Sequence, residues 1–156
     1  MTEFHPRLFR SETEIARVGE GLLARTLPRA EWTHEAHLAA TAYLLLRRPD
    51  IDVDGELPDL IRRYNESVGA VNSDSEGYHE TITRVFLHGV RLFLEEVKGT
   101  VPSGTVPGKP LHALVNDLLL SPTGKRDWPL RFYSRERLFS VSARTTFVMP
   151  DIAALP

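Results

Sequence analysis

Apolar residues recur every three or four positions along most of this chain, the spacing that aligns side chains on one face of an α-helix. No segment alternates apolar and polar residues as a half-buried β-strand does. The predicted fold class is therefore all-α, an antiparallel bundle of four main helices with short additional helices and an extended C-terminal tail. The 156 residues fit a single helical domain, 1–156. The predicted helices cover about 11–27, 33–48, 57–68, 75–97 and 111–120.

Capping and turn-forming residues separate these helices. Ser11 opens a capping-box sequence, and Thr33 is a predicted N-cap whose preceding residue, Trp32, is expected to pack against His37. Residues 51–58 and 68–77 are rich in turn formers and predict connectors.

The remaining segments are shorter. The glycine- and proline-containing residues 99–110 predict a mobile connector. Residues 133–144 predict one short helix with Ser134 as its N-cap. The apolar tail 147–156 contains prolines and is expected to lie extended over the bundle.

Composition narrows the class of protein. With 42% hydrophobic and 26% charged residues, the chain is expected to be globular rather than disordered. A net charge of −2 gives no overall sign of binding to nucleic acid or to a membrane. The chain has no cysteine, and its N-terminus has no apolar signal-peptide core, so a cytoplasmic location is expected. The basic excess within 125–144 predicts a solvated surface.

The candidate chemistry lies at the start of two helices. On a helical wheel His34 falls on the apolar face of the second helix, with Thr41 beside it and His37 at its margin. Tyr78 and His79 occupy the matching position at the start of the fourth helix, with Thr83 one turn later. Glu80 is expected to face water unless the start of this helix is distorted. If the two helices are neighbours in an up-down bundle, their N-terminal turns share one end, and these polar side chains meet there.

Three hypotheses follow from this convergence. The first is a pocket at one end of the bundle for a small polar or anionic ligand. The second is a metal-dependent hydrolase or transferase, in which His34, His37 and His79 bind a divalent metal such as zinc or nickel. The third is a structural or interaction protein whose histidines cap helices and fix their register. The residues predicted to bind a ligand are His34, His37, Thr41, Asn72, Tyr78, His79 and Thr83.

No catalytic residue is predicted. The sequence contains no nucleophile elbow, and its glycine loops do not complete a phosphate-binding motif. The apolar residues of the tail raise a homodimer as an additional hypothesis.

The segments WTHEAHL and GYHETIT resemble those of a family of small, uncharacterised bacterial helical proteins. That family carries an aromatic-Thr-His-x-x-His segment and a later Tyr-His-Glu-Thr segment, and its C-terminal ends are similar to YSRERLFSVSAR and PDIAALP. The resemblance implies a self-contained bacterial domain and draws attention to His34, His37 and His79. A looser analogy, based on architecture alone, is to the DinB-like metal-binding helical bundles.

Overall fold

The computed structural model describes residues 6–99 and 109–156 of the chain. Over these residues it contains seven α-helices and no β-strand, which confirms the all-α prediction. The arrangement as an antiparallel four-helix bundle stays a prediction. Most of the predicted mobile connector 99–110 lies outside the described residues. The helices are α1 Glu12–Ala24, α2 His34–Arg47, α3 Val53–Ser67, α4 Glu80–Gly99, α5 Leu111–Leu120, α6 Arg135–Leu138 and α7 Val141–Thr145.

The first two helices begin at their predicted caps. The hydroxyl of Ser11 accepts from the backbone N–H of Glu14, and the hydroxyl of Thr33 accepts from that of Ala36, each over 3.2 Å. Helix α1 ends earlier than predicted, because Arg25 adopts a left-handed conformation at φ 59° before Pro28 is reached. The caps therefore fix the starts of both helices as the sequence indicates.

Helix α3 begins at Val53, so the prediction that 51–58 is a connector was wrong over most of its length. Pro58 lies inside this helix and has no N–H for the carbonyl of Asp54 one turn earlier. The guanidinium of Arg84 on α4 donates to that carbonyl over 2.7 Å. A contact from a distant helix thus replaces the hydrogen bond that the proline removes.

Helix α4 begins at Glu80, five residues later than predicted. Gly77 has φ +81°, which interrupts a helical path, and an alanine Cβ there would lie 2.2 Å from the carbonyl oxygen of Val71. The Asn72 side chain also accepts from the backbone N–H of Tyr78 over 3.0 Å. These contacts hold residues 75–79 as part of the preceding loop.

The predicted single helix over 133–144 is two short helices, α6 and α7. Ser134 caps α6 as predicted, and Ser140 caps α7 by accepting from the N–H of Ala143. The tail beyond them contains no helix. Its Val148 donates its N–H to the Thr81 hydroxyl and accepts from the Tyr133 phenol, which links the tail to the start of α4.

Helix α2 packs against α1, α3, α4 and α5. Its buried alanines allow neighbouring helices to approach closely, and Leu38 and Leu44 fill the space between them. This central position places the first turn of α2 beside the N-terminal half of α4, where the rings of His34 and Phe86 pack together. No helix in the described part of the chain is long and apolar enough to cross a membrane.

Candidate functional site

A cavity of about 520 Å³ opens between the first turns of α2 and α4, helix α3 and the loop that precedes α4. Its volume is in the range usual for small-molecule sites. Trp32 and Phe86 supply aromatic surface, and the charged Arg29 and Glu76 are exposed residues of its wall. Six of the seven residues that the sequence singled out line this cavity, namely His34, His37, Thr41, Tyr78, His79 and Thr83.

His79 acts as the N-cap of α4. Its Nδ1 accepts from the N–H of Ile82 over 3.1 Å, and its carbonyl accepts from the N–H of Thr83. Because Nδ1 accepts, the ring proton must lie on Nε2, which donates to the carbonyl of Leu138 over 2.8 Å. Burial lowers the pKa of His79, and the nearby Arg144 lowers it further. Both ring nitrogens are therefore already used by the fold.

His34 is the first residue of α2 and joins that helix to the C-terminal part of the chain. Its Nε2 donates to the carbonyl of Gly124, 90 residues later, over 2.8 Å. The ring edge packs on Phe86, with centroids 5.1 Å apart. Burial is the main cause of a lowered pKa at His34. The neutral ring keeps only Nδ1, a hydrogen-bond acceptor, for another partner.

His37 differs from the other two histidines. Its ring stacks on Trp32 with centroids 3.9 Å apart. This contact confirms the predicted packing of Trp32 against His37. Among the described residues neither ring nitrogen of His37 has a hydrogen-bond partner. Burial, with a smaller effect of His34, lowers the pKa of His37 to about 3. At neutral pH it is an uncharged imidazole with one donor and one acceptor available.

Tyr78 is buried, and its phenol donates to the carboxylate of Glu80 over 2.5 Å. Burial and this hydrogen bond raise the pKa of Tyr78, while Thr83 and Arg62 act in the opposite direction. The guanidinium of Arg62 lies 4.3 Å from the centre of the Tyr78 ring. Helix α4 begins at Glu80 instead of residue 75, and such a displaced start is the condition under which Glu80 is not expected to face water. The Glu80 side chain is only 18% exposed and also pairs with Arg84.

Asn72 does not line the cavity but organises the loop behind it. Its Oδ1 accepts from Asn65 Nδ2 and from the N–H of Tyr78, and its Nδ2 donates to the carbonyl of Arg62. Every polar atom of the Asn72 amide is thus engaged within the protein. Its predicted role as a ligand-binding residue is not supported by this position, whereas Asn65 does line the cavity.

The described residues contain no group of three or more histidine, cysteine, aspartate or glutamate side chains that could hold a metal ion. The hydrogen bonds of the histidines explain this for the predicted site. His79 has no ring nitrogen left for a metal, and His34 has only Nδ1. The predicted shared metal site at His34, His37 and His79 is therefore not supported by the geometry.

Other residues of the cavity were not predicted from the sequence. Phe86 belongs to the apolar stripe of α4, and a stripe does not distinguish a residue that lines a cavity from one in the core. Arg29 lies in the 3-10 turn Arg29–Glu31, which has no periodic pattern to place it. Glu76 lies on the cavity wall because of the fold of the loop around Gly77, and no sequence motif indicates this position.

Comparison of the chain with protein-family models, with curated proteins and with solved structures found no match. The family resemblance carried by the two histidine segments stays a prediction.

Proposed function

We propose that this protein binds a small polar organic molecule in the cavity, with His37 as the main polar contact. The observation that supports the proposal is the difference among the three histidines of the cavity wall. The rings of His34 and His79 hydrogen-bond to backbone groups, whereas His37 has two free ring nitrogens on the same wall. A polar group beside a cavity without a partner inside the protein is the group expected to meet a ligand.

The surroundings of His37 favour selective binding. The Trp32 ring stacks on the imidazole and limits its rotation, which reduces the conformational entropy that a ligand would otherwise remove. The lowered pKa keeps the imidazole neutral at physiological pH, so it offers a donor on one nitrogen and an acceptor on the other. Such a ring recognises an amide, a hydroxyl or a heterocycle.

The structural hypothesis applies to two of the three histidines. His79 caps α4 and is linked to Leu138, and His34 links α2 to Gly124. We expect both residues to contribute to stability whether or not a ligand is bound. The proposal is one of binding, and it assigns no catalytic residue and no metal.

A fragment screen followed by NMR tests this proposal. Protein labelled with ¹⁵N in its histidine rings is mixed with a library of small, uncharged polar compounds at near-neutral pH. We expect some compounds to shift the ring signals of His37 and to lose binding in His37→Ala. His88→Ala is the matched control, because His88 lies on α4 away from the cavity wall. A library that shifts no His37 signal would overturn the proposal.

A further inference from the structure

Most of the large apolar side chains left exposed on the described chain lie in its C-terminal segment. Eight such residues are between 42% and 67% exposed, and five of these lie between positions 139 and 152. Apolar residues scattered singly over a surface are ordinary, whereas a concentration of them on neighbouring elements is typical of an interaction site. The five residues are Phe139, Val141, Phe147, Met149 and Ile152.

Hydrogen bonds hold the tail against α6 at the two most exposed of these residues. The carbonyl of Met149 accepts from the guanidinium of Arg137 on α6. The backbone N–H of Ile152 donates to the carbonyl of Phe132, just before α6, over 2.9 Å. Two more exposed side chains lie at the end of α6 and at the start of α7, so the fold places four of them on adjacent stretches of backbone. These four form what we call the C-terminal patch: Phe139, Val141, Met149 and Ile152.

The arginines near the C-terminal patch are not neutralised by ion pairs. The ion pairs found among the described residues all lie within the first 117 positions of the chain. The guanidinium groups of Arg137 and Arg144 donate to backbone carbonyls. Those of Arg131 and Arg135 form no hydrogen bond or ion pair with any described residue. The protein therefore leaves positive charge unmatched beside exposed apolar side chains.

The composition of this region is that of a protein–protein interface. Residues 128–156 contain four arginines, no lysine and two acidic residues, Glu136 and Asp151. The carboxylate of Asp151 accepts from the N–H and from the hydroxyl of Ser134, each over 2.7 Å. The centres of protein interfaces are enriched in aromatic residues, methionine and arginine and depleted of lysine. A guanidinium group pairs well with a carboxylate from another protein, because it donates two parallel hydrogen bonds.

Charge argues against two other occupants of the patch. A second copy of the chain on a two-fold axis would set the patch against itself and bring like charges together, which opposes association. Recognition of anionic lipid uses clusters of about four to eight basic residues. Here two carboxylates offset half the charge of four arginines. A bilayer responds to the net charge, whereas a protein segment can place a carboxylate at each free guanidinium.

We propose that the C-terminal patch binds a segment of another protein in which apolar side chains are flanked by Asp and Glu. The apolar side chains of that segment cover the patch, and its carboxylates pair with Arg131 and Arg135. None of the four patch residues lines the cavity, so this interaction goes beyond the binding of a small molecule.

Selection of peptides from a random phage-displayed library tests the proposal. The 156-residue chain is immobilised for the selection, and the affinity of each selected peptide is measured by fluorescence anisotropy. We expect the peptides to combine apolar residues with Asp and Glu, and to bind Met149→Ser about tenfold more weakly than wild type. Leu120→Ser is the matched control, because Leu120 is 57% exposed at the end of α5 and outside the patch. Peptides without acidic residues, or peptides that bind Met149→Ser as tightly as wild type, would overturn the proposal.

The contribution of charge is tested with a second pair of variants. Arg135→Glu is expected to weaken binding of the same peptides about tenfold. Arg63→Glu is the matched control, because Arg63 is an exposed arginine of α3 that has no ion pair with a described residue. Equal affinities of the two variants, or a selection that yields no peptide, would contradict the proposal.

The other two occupants have their own measurements. Sedimentation velocity detects a dimer, and co-sedimentation with vesicles of phosphatidylcholine and phosphatidylglycerol detects membrane binding. We expect a monomer that stays in solution. A dimer that dissociates in Met149→Ser would assign the patch to a second copy of the chain, and vesicle binding that is lost in this variant would assign it to a membrane. Either result would overturn the proposal.

Discussion

The ring of Trp32 stacks on the imidazole of His37, with the two planes 29° apart. The stack covers one face of the histidine with apolar surface. This burial accounts for the lowered pKa of His37, and its ring nitrogens are left without a partner in the described part of the protein.

The neutral state of His37 predicts a pH dependence of stability. The pKa of this group falls from 6.5 to about 3 on folding, so the unfolded chain binds more protons between these values. The contribution of this group to the free energy of unfolding is therefore greatest above pH 6.5, and it decreases as the pH falls towards 3. At pH 5 the loss from this group is at most about 2 kcal/mol. Urea unfolding at pH 7 and pH 5 should show a smaller difference in the free energy of unfolding for His37→Gln than for wild type. Equal differences in the two proteins would contradict the prediction.

The loop before α4 depends on the close approach at Gly77. Gly77→Ala would place a Cβ 2.2 Å from the Val71 carbonyl oxygen, in addition to the strain of φ +81°. Gly69→Ala is a matched control, because Gly69 has φ +82° and nothing within 4 Å of the added carbon. We expect Gly69→Ala to lower the free energy of unfolding by about 1 kcal/mol and Gly77→Ala by about 2 kcal/mol more. If denaturant unfolding shows the same loss of free energy of unfolding in Gly69→Ala and Gly77→Ala, the close approach to the Val71 carbonyl does not affect stability.

The cap formed by His79 can be separated from its link to Leu138. His79→Asn keeps a short side-chain acceptor for the N–H of Ile82 but loses the donor to the Leu138 carbonyl, whereas His79→Ala loses both. We expect both variants to be less stable than wild type. The free energy of unfolding of His79→Ala is expected to be lower than that of His79→Asn by about 1 kcal/mol. Thermal unfolding measures the order. Variants of equal stability would mean that the capping bond contributes nothing.

Pro58 and Arg84 are predicted to be energetically coupled. Arg84→Met leaves the Asp54 carbonyl without its donor when Pro58 is present, but Pro58→Ala restores an N–H one helical turn away. We expect Arg84→Met to destabilise the wild type more than the Pro58→Ala protein, with a coupling energy of about 0.5 kcal/mol. A double-mutant cycle measured by urea unfolding provides this value. Strictly additive effects would exclude the coupling.

The sequence predicted most of the helices but not how their ends are held. Periodicity located α1, α2 and α5 because each buries a regular apolar stripe. It missed the first turn of α3, since Gly55 and Pro58 normally break helices and the compensating donor comes from Arg84. It began α4 too early because the interruption at Gly77 depends on contacts with Val71 and Asn72. These contacts are made across the fold and leave no local signal.

The candidate site was also predicted only in part from the sequence. Six of the seven residues predicted from the sequence line one cavity, because the start of α2 and the start of α4 both border it. It could not show that His79 would use both ring nitrogens within the protein, or that His37 would use neither. The hydrogen bonds of a ring depend on backbone carbonyls as distant as Gly124 and Leu138, whose positions are set by the complete fold.

The most direct test of this account is a long-range ¹H–¹⁵N spectrum of the histidine rings, recorded from pH 8 to pH 3. We predict that His34 and His79 carry their protons on Nε2 and that these protons exchange slowly with water. We also predict that His37 stays neutral down to about pH 3. Its N–H has no partner among the described residues and is expected to exchange faster than those of His34 and His79. A His37 that titrates near 6.5, or a His79 protonated on Nδ1 at neutral pH, would contradict the separation of two structural histidines from one available to a ligand.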